Sequence, residues 1–379
     1  MVSSPPAGAS HLTRQEPPSS VGHCLTPYWG YARCVQASHL SSLEVPPFVP
    51  HPLLRGPHAM TIAGRLWPRL RPRTRTRKRV FRVDAETSVL AHIDGELGPT
   101  ANVLILLHGL TGSAESAYVQ GTAAKAVEAA LTCVRVNARN CGGTEHLTAR
   151  SYHGGLTDDV RAVCEELVRE DGVRRVTIAG FSIGGNLALK YAAELGGSPP
   201  TWFRSVVAVS PCVDFAAAAA MLDSGFFNRI YQRMFLRELR GLVRRQHARH
   251  PGAFHLDGLD EVRTIRAFDH RFTAPLGGFD GVDDYYARAS SLALLDRIAL
   301  PTLILAARDD PLVPFGAFER PEVARSPALR LVATEHGGHT AFVGRDCAVA
   351  NGRTDGDRFW AESRIVQAAL HFGTNRAGA

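Results

Sequence analysis

Residues 174–190 read Arg-Arg-Val-Thr-Ile-Ala-Gly-Phe-Ser-Ile-Gly-Gly-Asn-Leu-Ala-Leu-Lys. Val176, Ile178 and Ala179 form a short apolar run suited to a buried strand, and Asn186–Tyr191 continues with a helical pattern. Ser182 stands at the junction, flanked by Gly180 and Gly184. A strand that turns sharply into a helix has no room for a Cβ two positions either side of the apex. Gly-x-Ser-x-Gly removes both, and the turn pushes the hydroxyl out above the sheet. The bare pentapeptide also describes an ordinary turn serine, so its meaning depends on the chain around it.

Upstream, Val80–Val83 and Val89–Ile93 are two β-like runs parted by polar residues, which predicts a hairpin. Val103–Leu107 is continuously apolar and short, as a central parallel strand covered on both faces requires. It ends in His108-Gly109-Leu110-Thr111-Gly112. A helix is expected over Ala114–Leu131 and a strand over Cys133–Val136. Next comes a helix over Val160–Glu170, opened by Thr157-Asp158-Asp159 with an N-cap residue and early acids that suit the helix dipole. Ser205–Val209 is the strand after the elbow helix. This alternation predicts a mostly parallel, doubly wound sheet, the α/β class.

The alternation stops at Asp214. Residues 215–298 carry helical patterns and no convincing strand, so a helical cap inserted between two sheet strands is expected. Within it Arg229, Arg233, Arg237, Arg240 and Arg244 recur at helical spacing, while Phe227, Tyr231, Met234, Phe235, Leu239 and Leu242 fall mainly on another face. A solvated basic side is one reading, and a face meeting lipid or anionic substrate is the other. Sheet patterning resumes at Thr302–Ala306 and Leu329–Ala333, before an amphipathic helix near Arg358–Phe372.

Of 379 residues, the first 45 are rich in Pro, Ser, Gly and His without periodicity and are expected to be a disordered leader. Residues 46–78 are expected to form an arm and basic connector, and 79–379 the folded domain with its cap at 215–298. Net charge is +7, but residues 65–82 hold nine Lys/Arg and no acid, which leaves the rest at −2. A nucleic-acid-binding body is not indicated. Contact of the basic run with anionic headgroups is the alternative to a solvated connector. Seven scattered cysteines without C-x-x-C argue against a disulfide framework or zinc site and suit a reducing cytoplasm. No run approaches the roughly 18 apolar residues of a membrane span, and no secretory signal opens the chain.

Ser182, Asp310 and His339 occur in that order, each at the C-terminal end of an expected strand, where loops of a doubly wound sheet converge. A serine hydroxyl needs an imidazole to take its proton, and the imidazole needs a carboxylate to fix its tautomer. Asp309 competes with Asp310 for the acid, and the Asp-Pro-x-Val-Pro register favours Asp310. His336 competes with His339 for the base, and two preceding glycines that let the backbone bend over the serine favour His339. The backbone amides of Ile183 and Leu110 are the expected oxyanion donors. His108 is expected to orient its loop.

The chain resembles the YheT-like branch of the α/β-hydrolases. The resemblance rests on His58-Ala59-Met60-Thr61-Ile62 followed by Trp67-Pro68-Arg69, on Leu107–Ser113 and on Gly180–Asn186. Phe268–Phe279 with its Thr-Ala-Pro-Leu core, Asp284-Tyr285-Tyr286, Asp309-Asp310-Pro311 and His336–His339 complete it. It extends from about Pro46 to the end. The arm departs from the family pattern at Arg55-Gly56 and Ala59-Met60. The resemblance implies carboxylic-ester hydrolysis, with acyl transfer to an alcohol as a related activity. The expectation is therefore a serine esterase acting on small ester or lipid substrates without metal or organic cofactor, in the cytoplasm or peripheral to a membrane. Its rivals are an acyltransferase with the same three residues and a silent lipid- or protein-binding module.

Overall fold

The computed structural model describes residues 40–345, 355 and 357–374. Eight strands form one sheet in the order β1-β2-β4-β3-β5-β6-β7-β8. β1 (Arg77–Arg82) and β2 (Ser88–Asp94) pair antiparallel, with Arg77 opposite Ile93 and Arg82 opposite Ser88. β2 also runs antiparallel to β4 (Thr132–Val136), and from there every pairing is parallel. The expected hairpin is present and forms one edge of the sheet. β3 (Val103–Leu107) and β5 (Val176–Phe181) are adjacent and buried at every position, which is why neither shows the two-residue alternation of a half-exposed strand. β6 (Phe203–Val209), β7 (Thr302–Ala307) and β8 (Leu329–Thr334) complete the sheet.

Helices cover both faces. α1 (Pro57–Leu66) precedes the sheet and has proline in its first turn, where the missing N–H costs no hydrogen bond. α2 (Ala117–Glu128) packs on one face together with the C-terminal helix, and α3 (Thr157–Asp171) and α4 (Ile183–Leu195) pack on the other. α2 falls short of the expected Ala114–Leu131 at both ends, with Ser116 in the N-cap position and Ala129 in the C-cap position. α3 begins at Thr157 itself, with Leu156 in the N-cap position and no side-chain cap. The expected capping role of Thr157 is thus corrected, while Asp158 and Asp159 do occupy the first turn.

Between β6 and β7 the chain is helical throughout its regular structure. α5 (Phe215–Asp223) is capped by Asp214, whose side chain accepts the Ala217 amide at 3.0 Å. α6 (Phe226–Arg249) follows, then a π-helical turn at Asp269–Thr273 and α7 (Val282–Ala289). α8 (Trp360–Thr374) ends the described chain.

Residues 1–39 of the expected leader lie outside the described residues. Within its last part, Leu40 and Leu43 are buried with α2 and α8, and their carbonyls accept from Arg330. The chain is therefore packed from residue 40, ahead of the boundary expected at 45. Apolar burial of these two leucines outweighs the polar composition around them.

Candidate active site

β5 ends directly beneath the elbow. Ser182 has φ 55° and ψ −118°, a conformation that costs a residue with a Cβ about 1–3 kcal/mol. It is held there by its own amide donating to Val209 O at 2.9 Å and by its carbonyl accepting the Cys212 amide at 3.1 Å. A Cβ on Gly180 would fall into the Gly184 carbonyl, and one on Gly184 would meet the carbonyls of Leu107 and His108. The two glycines let the elbow fold onto itself and onto the end of β3.

Ser182, His339, Leu110 and Ile183 line one cavity beneath the cap helices. His339 Nδ1 lies 2.9 Å and 3.1 Å from the two carboxylate oxygens of Asp310. Asp310 Oδ1 also accepts the amides of Leu312 and Val313 at 2.8 and 3.0 Å, so the loop after β7 aims the carboxylate. The side chains of Asp310 and His339 are only 3% and 10% exposed. The rival residues form a second pair: His336 Nδ1 is 3.2 Å from Asp309 Oδ2, and Asp309 Oδ1 accepts the Gly338 amide at 2.9 Å. That pair is 44% exposed at His336 and 16% at Asp309, and neither lines the cavity. Asp309 thus shapes the Gly337-Gly338 bend that carries His339.

The amide of Ile183 is the first of α4 and has no carbonyl a turn earlier to accept it within the helix. Leu110 lies on the loop that follows β3, whose backbone passes beside Ser182. The loop is pinned on both sides. The Gly109 amide donates to the Tyr118 hydroxyl at 2.9 Å, and the Ala114 amide to Asn137 Oδ1 at 2.8 Å. His108 accepts the Ala138 amide on Nε2 at 3.0 Å, so its Nδ1–H donates to Gly109 O at 2.8 Å. Burial pushes its imidazole down to about 4, so it is a neutral strut for the loop.

Two further features were not anticipated from sequence. Thr61 on α1 reaches the histidine loop: its hydroxyl accepts the His339 amide at 2.9 Å and donates to Pro57 O at 2.7 Å. The quoted Met60-Thr61-Ile62 motif marked the arm, but nothing in it named a partner 278 residues away. The second is Asp269, in the π-helical turn of the cap. It is buried in the cavity wall, where Tyr286 and Thr273 donate to it at 2.9 and 2.7 Å. Burial pushes its carboxyl up to about 6. Its signal was the Phe268–Phe279 motif, and π-helical turns recur at functional sites.

Non-glycine residues with positive φ cluster here: Thr111, Ser182, Ser210, Thr340 and Phe342. Ser210 accepts the Thr340 amide at 3.1 Å, joining two of these strained positions. Asn186, fully buried one turn into α4, donates to Gly154 O and Ala289 O and accepts the Ser291 amide, which fastens the elbow helix to the base of the cap. Among the described residues no helix is long and apolar enough to cross a membrane, and no cluster of His, Cys, Asp and Glu has metal-holding geometry.

Comparison with known proteins agrees with this architecture. Residues 102–346 match the family described as alpha/beta hydrolase fold. The proposed esterase YheT of Escherichia coli (strain K12) is 35% identical over 264 residues, covering 69% of this chain and 74% of YheT. Phospholipase ABHD3 of Mus musculus is 29% identical over 252 residues, covering 66% of this chain but only 60% of that enzyme. Among solved structures, the 2,6-dihydroxy-pseudo-oxynicotine hydrolase superposes with a TM-score of 0.52 at 16% identity, over 84% of this chain and 74% of that one, a likeness of fold alone.

Proposed function

The chain belongs to the α/β-hydrolase family, in its YheT-like branch, and on that premise we propose that it is a serine hydrolase of carboxylic esters. The observation that carries the reading is His339, which lines the cavity that holds the strained Ser182 and meets the buried Asp310 carboxylate at 2.9 Å. In this reading Ser182 Oγ attacks the ester carbonyl carbon while His339 Nε2 takes its proton. Asp310 keeps the other ring nitrogen protonated and stabilises the imidazolium. The amides of Ile183 and Leu110 receive the oxyanion. Collapse breaks the bond to the alcohol, which leaves with the proton from His339, and an acyl-enzyme remains on Ser182. Water, deprotonated by the same imidazole, repeats the sequence and releases the acid.

The cavity wall supports an aliphatic acyl chain. Leu222, Phe235, Leu239, Leu242 and Phe268 supply apolar surface around the serine, consistent with short to medium acyl esters or lipids. The cytoplasmic placement drawn from the scattered cysteines stays part of this proposal.

A fluorophosphonate probe tests it. The wild-type protein should label under conditions where a known serine esterase reacts, and Ser182→Ala should abolish the label. A wild type that stays unlabelled overturns the reading.

A further inference from the structure

α1 and α6 lie side by side, although about 160 residues separate them in the chain. His58 stacks on Phe227 with ring centroids 4.5 Å apart, and its Nδ1 is 3.3 Å from the Tyr231 hydroxyl. Farther along both helices, Arg65 donates to Glu238 at 3.0 Å. The helices therefore run in the same direction. On α1, Met60 faces the body and Thr61 the histidine loop. That leaves Ala59, Ile62 and Leu66 exposed at three- and four-residue spacing. On α6 the exposed residues of the first half are Phe226, Phe227, Arg229, Ile230, Arg233 and Arg237. Leu66 and Phe226 are 73% and 72% exposed. Single exposed apolar side chains need no explanation, but five on two adjoining helices do.

The arginines of α6 divide in the same place. In the second half Arg240 donates to the carbonyls of Leu259 and Val262, Arg244 pairs with Asp260, and Arg245 pairs with Glu145. In the first half Arg229, Arg233 and Arg237 make no ion pair among the described residues and stand beside the exposed apolar groups. The segment after α1 adds Arg71, Arg73 and Arg75, all exposed. The acids nearby are Glu238, engaged by Arg65 and Thr111, and exposed Asp223 at the end of α5. Phe226 opens α6 just past Gly225, so its ring projects from a corner. With both helices lying along a lipid surface, the exposed apolar groups sit among headgroups and the arginines beside them at the depth of phosphates.

We propose that the α1–α6 face docks on a lipid surface with anionic headgroups. Ile62, Leu66, Phe226, Phe227 and Ile230 enter the interfacial layer, and Arg229, Arg233 and Arg237 meet the phosphates. α6 also walls the candidate active-site cavity through Phe235, Leu239 and Leu242, so docking would bring that cavity to a layer rich in acyl esters. The proposal goes beyond the hydrolase reading and stands without it, because Ser182→Ala should bind vesicles as the wild type does.

The test is co-sedimentation of the full chain with vesicles of phosphatidylcholine, with and without about 30% phosphatidylserine, at about 0.1 M salt. The wild type should partition onto the anionic vesicles. The triple variant Leu66→Ser, Phe226→Ser, Ile230→Ser should lose about tenfold or more of that binding. Arg229→Gln, Arg233→Gln, Arg237→Gln together should abolish the preference for anionic vesicles. Both should keep the wild-type circular-dichroism spectrum and melting temperature, which shows that they are folded. A wild type that ignores both vesicle types overturns the proposal, as does a triple variant that binds undiminished. A wild-type dimer that the Leu66→Ser, Phe226→Ser, Ile230→Ser variant converts to monomer, with no vesicle binding, would overturn the proposal and assign the face to a second copy.

Discussion

Asp309 and Asp310 are neighbours in the chain, yet each holds a different histidine: Asp309 meets the half-buried His336 at 3.2 Å and Asp310 the more enclosed His339 at 2.9 Å. Two acid–imidazole pairs thus lie one residue out of step, and burial separates them.

Exchange of each acid for its amide tests that separation. Asp310→Asn should lower kcat about 10³–10⁴-fold on p-nitrophenyl butyrate, because an amide no longer selects the working tautomer. Asp309→Asn should cost about tenfold or less, through a looser bend at Gly338. The reverse ranking would transfer the acid role to Asp309.

Thr61 acts on the histidine through the backbone. Thr61→Val removes the acceptor for the His339 amide and should lower kcat about tenfold while KM changes little, with a stability loss of about 1 kcal/mol. Thr61→Ser keeps the hydroxyl and should restore both. Equal losses in the serine and valine variants, by steady-state kinetics and thermal melts, would exclude the hydrogen bond as the cause.

Asp269 predicts a pH dependence of stability. Its carboxyl titrates near 6 in the fold, above its ordinary value, because burial disfavours the charged form. The folded state then holds more protons than the unfolded state between about pH 4 and pH 6. The stabilising contribution is present in full below about pH 4 and is lost as pH rises through about 6. Denaturant melts should show the wild type losing roughly 2 kcal/mol relative to Asp269→Asn between pH 4.5 and pH 7.5. A constant difference between the two proteins across that window would refute the buried-acid account.

Asn186 joins the elbow helix to Gly154, Ala289 and Ser291. Asn186→Ala leaves three backbone groups without their partner and should destabilise the protein by about 2–4 kcal/mol. Urea midpoints measure this directly. A shift under about 0.5 kcal/mol would mean that water replaces the amide.

The parts legible in the sequence were those governed by local rules. The buried strands β3 and β5, the glycine-relieved turn and the edge hairpin each follow from a few adjacent residues. So does the break of alternation at Asp214. Thr61 was not legible in its role because a lone threonine in a short helix says nothing of a partner at His339. The choice between Asp309 and Asp310 rested on register alone, since both are adjacent acids on one loop; burial distinguishes them, and burial is a property of the whole fold. The packing of Leu40 and Leu43 was missed for the same reason, as their composition is that of a polar segment. The single arginine series on α6 divided into paired and unpaired halves only once Asp260, Glu145 and the Leu259 and Val262 carbonyls were in place.

The bond between Thr61 and His339 also bears on how the molecule assembles. It closes a loop of 278 residues, among the most non-local contacts in the chain, and such contacts form late because chain entropy opposes them until the intervening structure has condensed. During synthesis the arm emerges long before the histidine loop, so a nascent chain can bury its central strands well before it can hold an imidazole in place. Competence for chemistry should therefore lag behind compactness in refolding, with the return of fluorophosphonate reactivity trailing the return of secondary structure.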